Sequence, residues 1–127
     1  MSVSGKQIEE VLQKFEENTE GIVGCSIILA KEALILAESS QKFERLVIQW
    51  LSEKVLSLAK ESLQQLMKEH TLMSVTIEEK EILIFLRPIA EDFYVVVIAN
   101  REENRGLLEH NIKQLLKELA PMLSLLQ

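Results

Sequence analysis

The residues best suited to chemistry in this chain are one cysteine, two histidines and several neighbouring glutamates. Cys25 lies in an apolar run with no activating base beside it, so we expect a small buried hydrophobe rather than a nucleophile. His70 and His110 stand far apart and form no ligand spacing typical of a metal site. These residue types therefore predict neither nucleophilic catalysis nor a metal centre.

The acidic pairs and the glycines carry no catalytic or nucleotide-binding pattern either. Glu9-Glu10, Glu78-Glu79 and Glu102-Glu103 fall at expected helix starts or turns, where solvated charge is the simplest interpretation. The four glycines form no phosphate-binding loop. Because no nucleophile–base set is visible, we expect no catalytic residues, no cofactor and no enzyme activity.

Length and composition are typical of one folded domain spanning residues 1–127. Hydrophobic residues make up 47% of the chain and charged residues 27%, which disfavours disorder. The net charge is −6, with lysines and arginines scattered, so a nucleic-acid backbone would be repelled. Nucleic acid is therefore not expected as the principal partner.

The distribution of apolar residues disfavours a membrane or exported protein. The longest run without charged or polar residues is 93–99, far below the roughly 20 residues that span a bilayer. Near the N-terminus, Glu9, Glu10, Glu16 and Glu17 stand where a signal peptide needs an apolar segment. We therefore expect a cytoplasmic protein without membrane insertion.

Hydrophobic periodicity predicts the element order α-β-β-α-β-β-β-α, an α/β (α+β) fold. A capping box at Ser4 and Gln7 opens the first helix, and Asn104 is a candidate N-cap for the last, which Pro121 ends or kinks. The strands expected at 81–87 and 93–99 are apolar on both faces, which predicts a central position in the sheet. In the third strand apolar and polar residues alternate, so it is expected at an edge of the sheet. The expected strands are 23–30, 33–38, 72–78, 81–87 and 93–99. Of the three expected helices, the first ends near residue 18, the second spans about 41–69 and the third spans about 105–119.

The long second helix carries two apolar stripes. The first stripe is expected to rest on the sheet, although Lys54 and Glu61 interrupt it. Trp50 belongs to this stripe and is expected in the core. The members of the first stripe are Phe43, Leu46, Val47, Trp50 and Leu51.

The second stripe has the heptad rhythm of a seam between two helices. It consists of Ile48, Ser52, Val55, Ala59, Ser62 and Leu66. The series is nearly symmetric about Ser57, as an antiparallel two-fold interface requires, and its small residues allow two helices to approach closely. We expect self-pairing along this stripe; the alternative is that a long buried helix simply has a wide apolar arc.

Taken together, the chain resembles the roadblock family, the dynein light-chain and bacterial MglB group. The likeness covers the whole chain and rests on its element order, on residues 21–24 (GIVG) leading into the first strand, and on residues 104–108 (NRGLL) opening the last helix. The first hairpin departs from the family, since residues 30–33 read AKEA where an acidic residue and a glycine are usual. The resemblance implies a five-stranded antiparallel sheet between helices, a profilin-like roadblock fold.

The resemblance also implies how such a protein would assemble. Family members pair through the second helix and the edge strand that follows it, which adds Met73 and Val75 to the expected interface. Their dimers regulate or scaffold small Ras-like GTPases, or serve as adaptors in motor and signalling complexes. For a GTPase lying against the paired helices, the implied docking residues are Gln49, Glu53, Lys60 and Gln64.

Three functions therefore remain open at the level of sequence. The first is a homodimer, or a heterodimer with a paralogue, that binds a small Ras-like GTPase. The second is a profilin-like or PAS-like ligand-sensing module, which would need an internal cavity with convergent polar groups. The third is an adaptor without GTPase regulation.

Overall fold

The computed structural model describes residues 2–101 and 104–126, and within them the eight expected elements follow one another in the expected order. The expected α/β architecture, a five-stranded antiparallel sheet between helices, is confirmed. Four strands begin and end within two residues of the expected positions, the third strand begins three residues later than expected, and the second helix spans Arg45–Leu66 rather than about 41–69. The elements are α1 (Gly5–Asn18), β1 (Ile22–Leu29), β2 (Leu34–Glu38), α2 (Arg45–Leu66), β3 (Val75–Glu78), β4 (Ile82–Ile89), β5 (Phe93–Asn100) and α3 (Arg105–Ser124).

The five strands form one sheet in the order β2-β1-β5-β4-β3, with every neighbouring pair antiparallel. The central strand is β5, where Val96 lies between Ser26 of β1 and Leu86 of β4. The alternating strand β3 lies at one edge and the short strand β2 at the other, so the expectation of an edge position for β3 is confirmed. The two edges of the sheet are thus formed by β2 and β3.

Helices cover both faces of the sheet, and the central strand contributes side chains to the hydrophobic core on each face. Val95 and Val97 belong to the core under α1 and α3, whereas Val96 and Ile98 belong to the core under α2. This alternation explains why β5 is apolar at every internal position, because successive side chains of a strand point to opposite faces.

Polar side chains start two of the helices as the sequence predicts. Ser4 Oγ accepts from the Gln7 backbone N–H at 3.3 Å, and Gln7 Oε1 accepts from the Ser4 backbone N–H at 2.8 Å. Asn104 Oδ1 accepts from the Leu107 N–H at 2.9 Å. Each cap satisfies a backbone donor that has no partner inside its helix.

The last helix extends further than predicted. It was expected to end near Leu119, but it passes through Pro121 and ends at Ser124. Leu123 is buried with Leu119 against the sheet, and this packing offsets the hydrogen bond that proline cannot donate. Beyond it, Leu126 forms a bridge with Val3, so the apolar C-terminal segment docks beside the N-terminus.

The first hairpin forms despite its unusual turn. Ala33 adopts a φ of 51°, the left-handed conformation for which a glycine is favoured, and Ala90 in the β4–β5 turn adopts a φ of 55°. The two turns are also joined, since the Ala30 N–H donates to the Asp92 carbonyl at 2.8 Å. The chain therefore keeps the hairpin at the expense of local backbone strain.

Candidate functional site

The face of α2 that packs on the sheet is the stripe predicted to meet a second copy. Ser52 is 0% exposed and Ile48 5% exposed, and Leu56 is buried beside them. The Ser52 hydroxyl is satisfied by donating to the Ile48 carbonyl at 2.7 Å. The prediction that Ile48 and Ser52 face outward is therefore wrong, because both lie inside the chain's own fold.

The opposite face of α2 is exposed and apolar. Leu46 is 76% exposed, Trp50 61% and Leu58 65%, and Val47 is also exposed. The prediction that Leu46, Val47 and Trp50 rest on the sheet is wrong, because these side chains are exposed; over this part of α2 the two stripes have exchanged places. We call the exposed set Leu46, Val47, Trp50 and Leu58 the outer face of α2.

The packing of a helix on a sheet explains the exchange. Small side chains such as Ser52 and Ala59 let α2 approach the sheet closely, and this property does not distinguish a sheet from a second helix as the neighbour. One signal in the sequence identified the outer face, because Lys54 and Glu61 interrupt it and are exposed in the structure. A charge within an apolar stripe marks the side that water reaches.

The remaining residues of the expected interface are divided between core and surface. Val55 and Ala59 are half-buried, and Val55 packs against the core under α2. Ser62 and Leu66 are exposed near the end of the helix. The structure thus leaves only part of the expected stripe accessible to a partner.

The edge strand contributes the other accessible feature. Met73 is 74% exposed just before β3, and Val75 is half-buried against the core under α2. Within the described residues, β3 pairs only with β4, through Val75–Leu86 to Glu78–Leu83, and so presents a free backbone edge. An unpaired edge of this kind is a template for strand addition.

The other edge of the sheet is covered by α2. The Ile35 N–H of β2 donates to Gln49 Oε1 at 3.0 Å, and Arg45 Nη2 donates to the Ile35 carbonyl at 3.3 Å. Gln49 was expected to contact a GTPase, but it is half-buried and its side chain is hydrogen-bonded to β2. This hydrogen bond connects residues 14 positions apart in the sequence, and no local sequence pattern predicts it.

Two of the other expected docking residues lie together. Glu53 and Lys60 line a shallow groove of about 100 Å³ between α2 and the ends of β1 and β5. Lys60 Nζ lies 5.1 Å from the centre of the Tyr94 ring, a cation–π arrangement. Gln64 lies further along the helix, where its Oε1 is 2.9 Å from His70 Nε2.

A partly buried polar cluster that the sequence did not reveal fixes the start of α2. The Glu16 carboxylate on α1 accepts from Ser39 Oγ at 2.8 Å and from Ser40 Oγ at 2.7 Å, and it lies 3.6 Å from Lys42 Nζ. Ser39 Oγ in turn accepts from the Cys25 N–H at 2.9 Å. The loop between β2 and α2 is thereby attached to both β1 and α1, which fixes where α2 begins.

The chemically suited residues occupy structural positions. Cys25 is a buried free thiol, and burial raises its pKa to about 12, so the unreactive protonated form prevails at neutral pH. Backbone N–H groups, above all that of Glu81 at 2.8 Å, lower the pKa of the Glu79 carboxyl. Glu78 pairs with Arg101 at 2.8 Å and Arg105 at 3.2 Å, whereas the pair Glu102-Glu103 lies outside the described residues.

Neither a metal site nor a membrane-spanning helix is found in the described part of the chain. In residues 2–101 and 104–126, no group of three or more histidines, cysteines or acidic residues is placed to hold a metal ion. Across the same ranges, no helix combines the length and apolar character needed to cross a bilayer.

The order of the elements and the topology of the sheet are those of the Roadblock/LC7 fold, to which this chain is similar. A solved Roadblock/LC7 domain from Streptomyces avermitilis matches with a TM-score of 0.77 and 14% identity, covering 91% of this chain and 97% of that chain. The resemblance in fold expected from the sequence is confirmed.

MglB proteins have the same fold. Myxococcus xanthus MglB matches with a TM-score of 0.76 and 16% identity over 94% of this chain and 90% of that chain. A structure of MglB with a tetrameric arrangement matches with a TM-score of 0.72 and 17% identity over 92% and 88% of the two chains. No protein-family model matches the sequence, and no curated protein matches it either.

Proposed function

We propose that this chain is a single roadblock-like domain that works without catalysis, pairing with itself through the outer face of α2 and the edge of β3. The observation that carries the proposal is the exposure of Leu46, Trp50 and Leu58 on the side of α2 opposite the buried residues Ile48, Ser52 and Leu56. Contiguous apolar surface of this kind marks interaction sites, and tryptophan is enriched among residues that dominate binding energy. The docking partner is proposed to be a small Ras-like GTPase.

A second copy suits this surface because two different elements would be covered together. Pairing of β3 with β3 of a second copy would give its free backbone groups partners and join two sheets. The same step would bring α2 beside α2 of the second copy, and the apolar side chains between the two helices would lose their contact with water. The tetrameric arrangement of one MglB of this fold is in keeping with self-association.

The GTPase partner is supported by the likeness to MglB over nine-tenths of the chain and by polar residues that stay accessible. Glu53 and Lys60 line one groove, and Gln64 is exposed beyond them. Gln49 is a weaker candidate because its amide is already bonded to β2. We therefore place the docking site at Glu53 and Lys60, with Gln64 at its end.

The ligand-sensing alternative is disfavoured by the cavities under α2. The groove at Glu53 and Lys60 holds about 100 Å³, and the space near Cys25 only about 10 Å³. Sites for small molecules usually enclose about 300–1,000 Å³. Two larger grooves of about 350 and 330 Å³ lie beside α1, and both are open at the surface.

The first half of the test is mass in solution. Light scattering at micromolar concentration should give a dimer for the wild-type chain and a monomer for Leu58→Asp. Leu107→Asp, which changes another exposed leucine, on α3, is the matched control and should remain dimeric. A wild-type chain that stays monomeric at several hundred micromolar would contradict self-pairing.

The second half of the test is binding to a small Ras-like GTPase from the same genome. The GTPase, loaded with GDP or with a non-hydrolysable GTP analogue, is passed over immobilised wild-type protein and over Glu53→Lys and Lys60→Glu. We expect one nucleotide state to bind and each substitution to weaken binding at least tenfold. Single-turnover hydrolysis then distinguishes activation from scaffolding. Absence of binding in both nucleotide states would refute the partner.

A further inference from the structure

Two opposite charges interrupt the outer face of α2 along one line. Lys54 and Glu61 are both exposed and stand seven residues apart. Since each residue of an α-helix is rotated by about 100° from the one before it, Lys54 and Glu61 lie within the same arc of about 80° on the helix surface as Trp50 and Leu58. None of the ion pairs among the described residues involves either charge; those found involve other lysines, arginines and glutamates.

These two charges are poorly placed to neutralise each other within one chain. Ion pairs along a helix form between residues three or four apart. A separation of seven residues places the two Cα atoms about 10 Å apart along the axis. If a partner covered the outer face, each charge would therefore lose water without gaining a counter-charge from its own helix, which is strongly unfavourable.

A two-fold antiparallel partner removes this difficulty. In an antiparallel pair, the residue numbers of two facing positions always add up to the same value. A two-fold axis that passes between Ser57 and Leu58 therefore places Lys54 opposite Glu61 of the second copy. The symmetry repeats the contact with the roles exchanged, giving two ion pairs. Leu58 then lies beside the axis and faces Ser57 of the second copy, and Trp50 faces the aliphatic part of Gln65 of the second copy.

We propose that reciprocal Lys54–Glu61 ion pairs set the register and the antiparallel direction of this self-association, so that the outer face of α2 is specific for a second copy of this chain. The inference rests on the self-pairing proposed above and specifies its geometry. A parallel pair would place Lys54 against Lys54 and Glu61 against Glu61, and that repulsion excludes the alternative direction. Charge at the seam thereby provides specificity, and the apolar residues around it provide affinity.

The test is a charge exchange followed by sedimentation at a range of concentrations. Lys54→Glu and Glu61→Lys should each weaken self-association at least tenfold, because each places like charges opposite one another twice. Mixing the two single variants should restore a one-to-one heterodimer. The double variant K54E/E61K should associate with itself as tightly as the wild-type chain. Lys117→Glu on α3 is the control for an exposed charge reversal and should leave the dimer intact.

The outcomes separate this inference from the function on which it rests. A dimeric wild-type chain whose two single variants associate normally, or whose mixture forms no heterodimer, overturns the register while leaving self-pairing in place. A wild-type chain that is monomeric overturns both. Circular dichroism of each variant checks that the fold is retained, as expected for exposed positions.

Discussion

At the residue scale, the strain in the two hairpin turns is the feature most open to test. Ala33 and Ala90 hold positive φ angles of 51° and 55°, which cost a residue with a side chain about 1 kcal/mol relative to glycine. Ala33→Gly and Ala90→Gly should each raise the free energy of unfolding, by about 0.5 kcal/mol after the greater freedom of glycine in the unfolded chain is subtracted. Urea denaturation measures the change.

A matched alanine inside a helix provides the control for these two substitutions. Ala59 lies within α2, where glycine should lower stability by about 1 kcal/mol. If the free energy of unfolding falls for Ala59→Gly while it rises for the two turn substitutions, the rise reflects relief of backbone strain rather than a general effect of glycine. If Ala33→Gly and Ala90→Gly both destabilise the protein as Ala59→Gly does, the turns are not strained in solution.

At the scale of elements, α2 protects one edge of the sheet and leaves the other open. Gln49 and Arg45 bond the N–H and carbonyl of Ile35 on β2, so these groups are unavailable to an incoming strand. The double variant R45A/Q49A should lose about 1–2 kcal/mol of unfolding free energy, because the Ile35 N–H loses a partner. It should also form species larger than a dimer, since the β2 edge of each copy is then free to pair in addition to the β3 edge. Light scattering against concentration measures this.

The control for the edge is a glutamine on another helix. Gln114 of α3 is exposed and, among the described residues, makes no side-chain hydrogen bond, so Gln114→Ala should change neither stability nor mass. An R45A/Q49A variant that is folded and keeps the wild-type mass at high concentration would show that the β2 edge does not depend on Arg45 and Gln49 to stay closed.

At the scale of the whole molecule, the sequence predicts the layers better than it predicts their contacts. Periodicity identified β5 as a buried strand and β3 as an edge strand, because burial on one or two faces changes the residue pattern directly. The orientation of α2 was not predictable in this way, since the stripes through Ser52 and through Trp50 are both apolar. The bonds from Glu16 to Ser39 and Ser40 join residues 23 and 24 positions apart, which no local pattern encodes.

The same exposed stripe makes the stability of the whole molecule depend on its concentration. If two copies cover the outer face of α2, mass action adds to the stability of the folded state, and the thermal midpoint should rise by about 4 °C over a hundredfold increase in concentration. The emission of Trp50, the single tryptophan, should shift to shorter wavelength over the same range as its ring leaves water. Leu58→Asp should abolish both effects. A midpoint that is independent of concentration in the wild-type chain would mean that Trp50 and Leu58 remain in water, and that the outer face serves a partner other than a second copy.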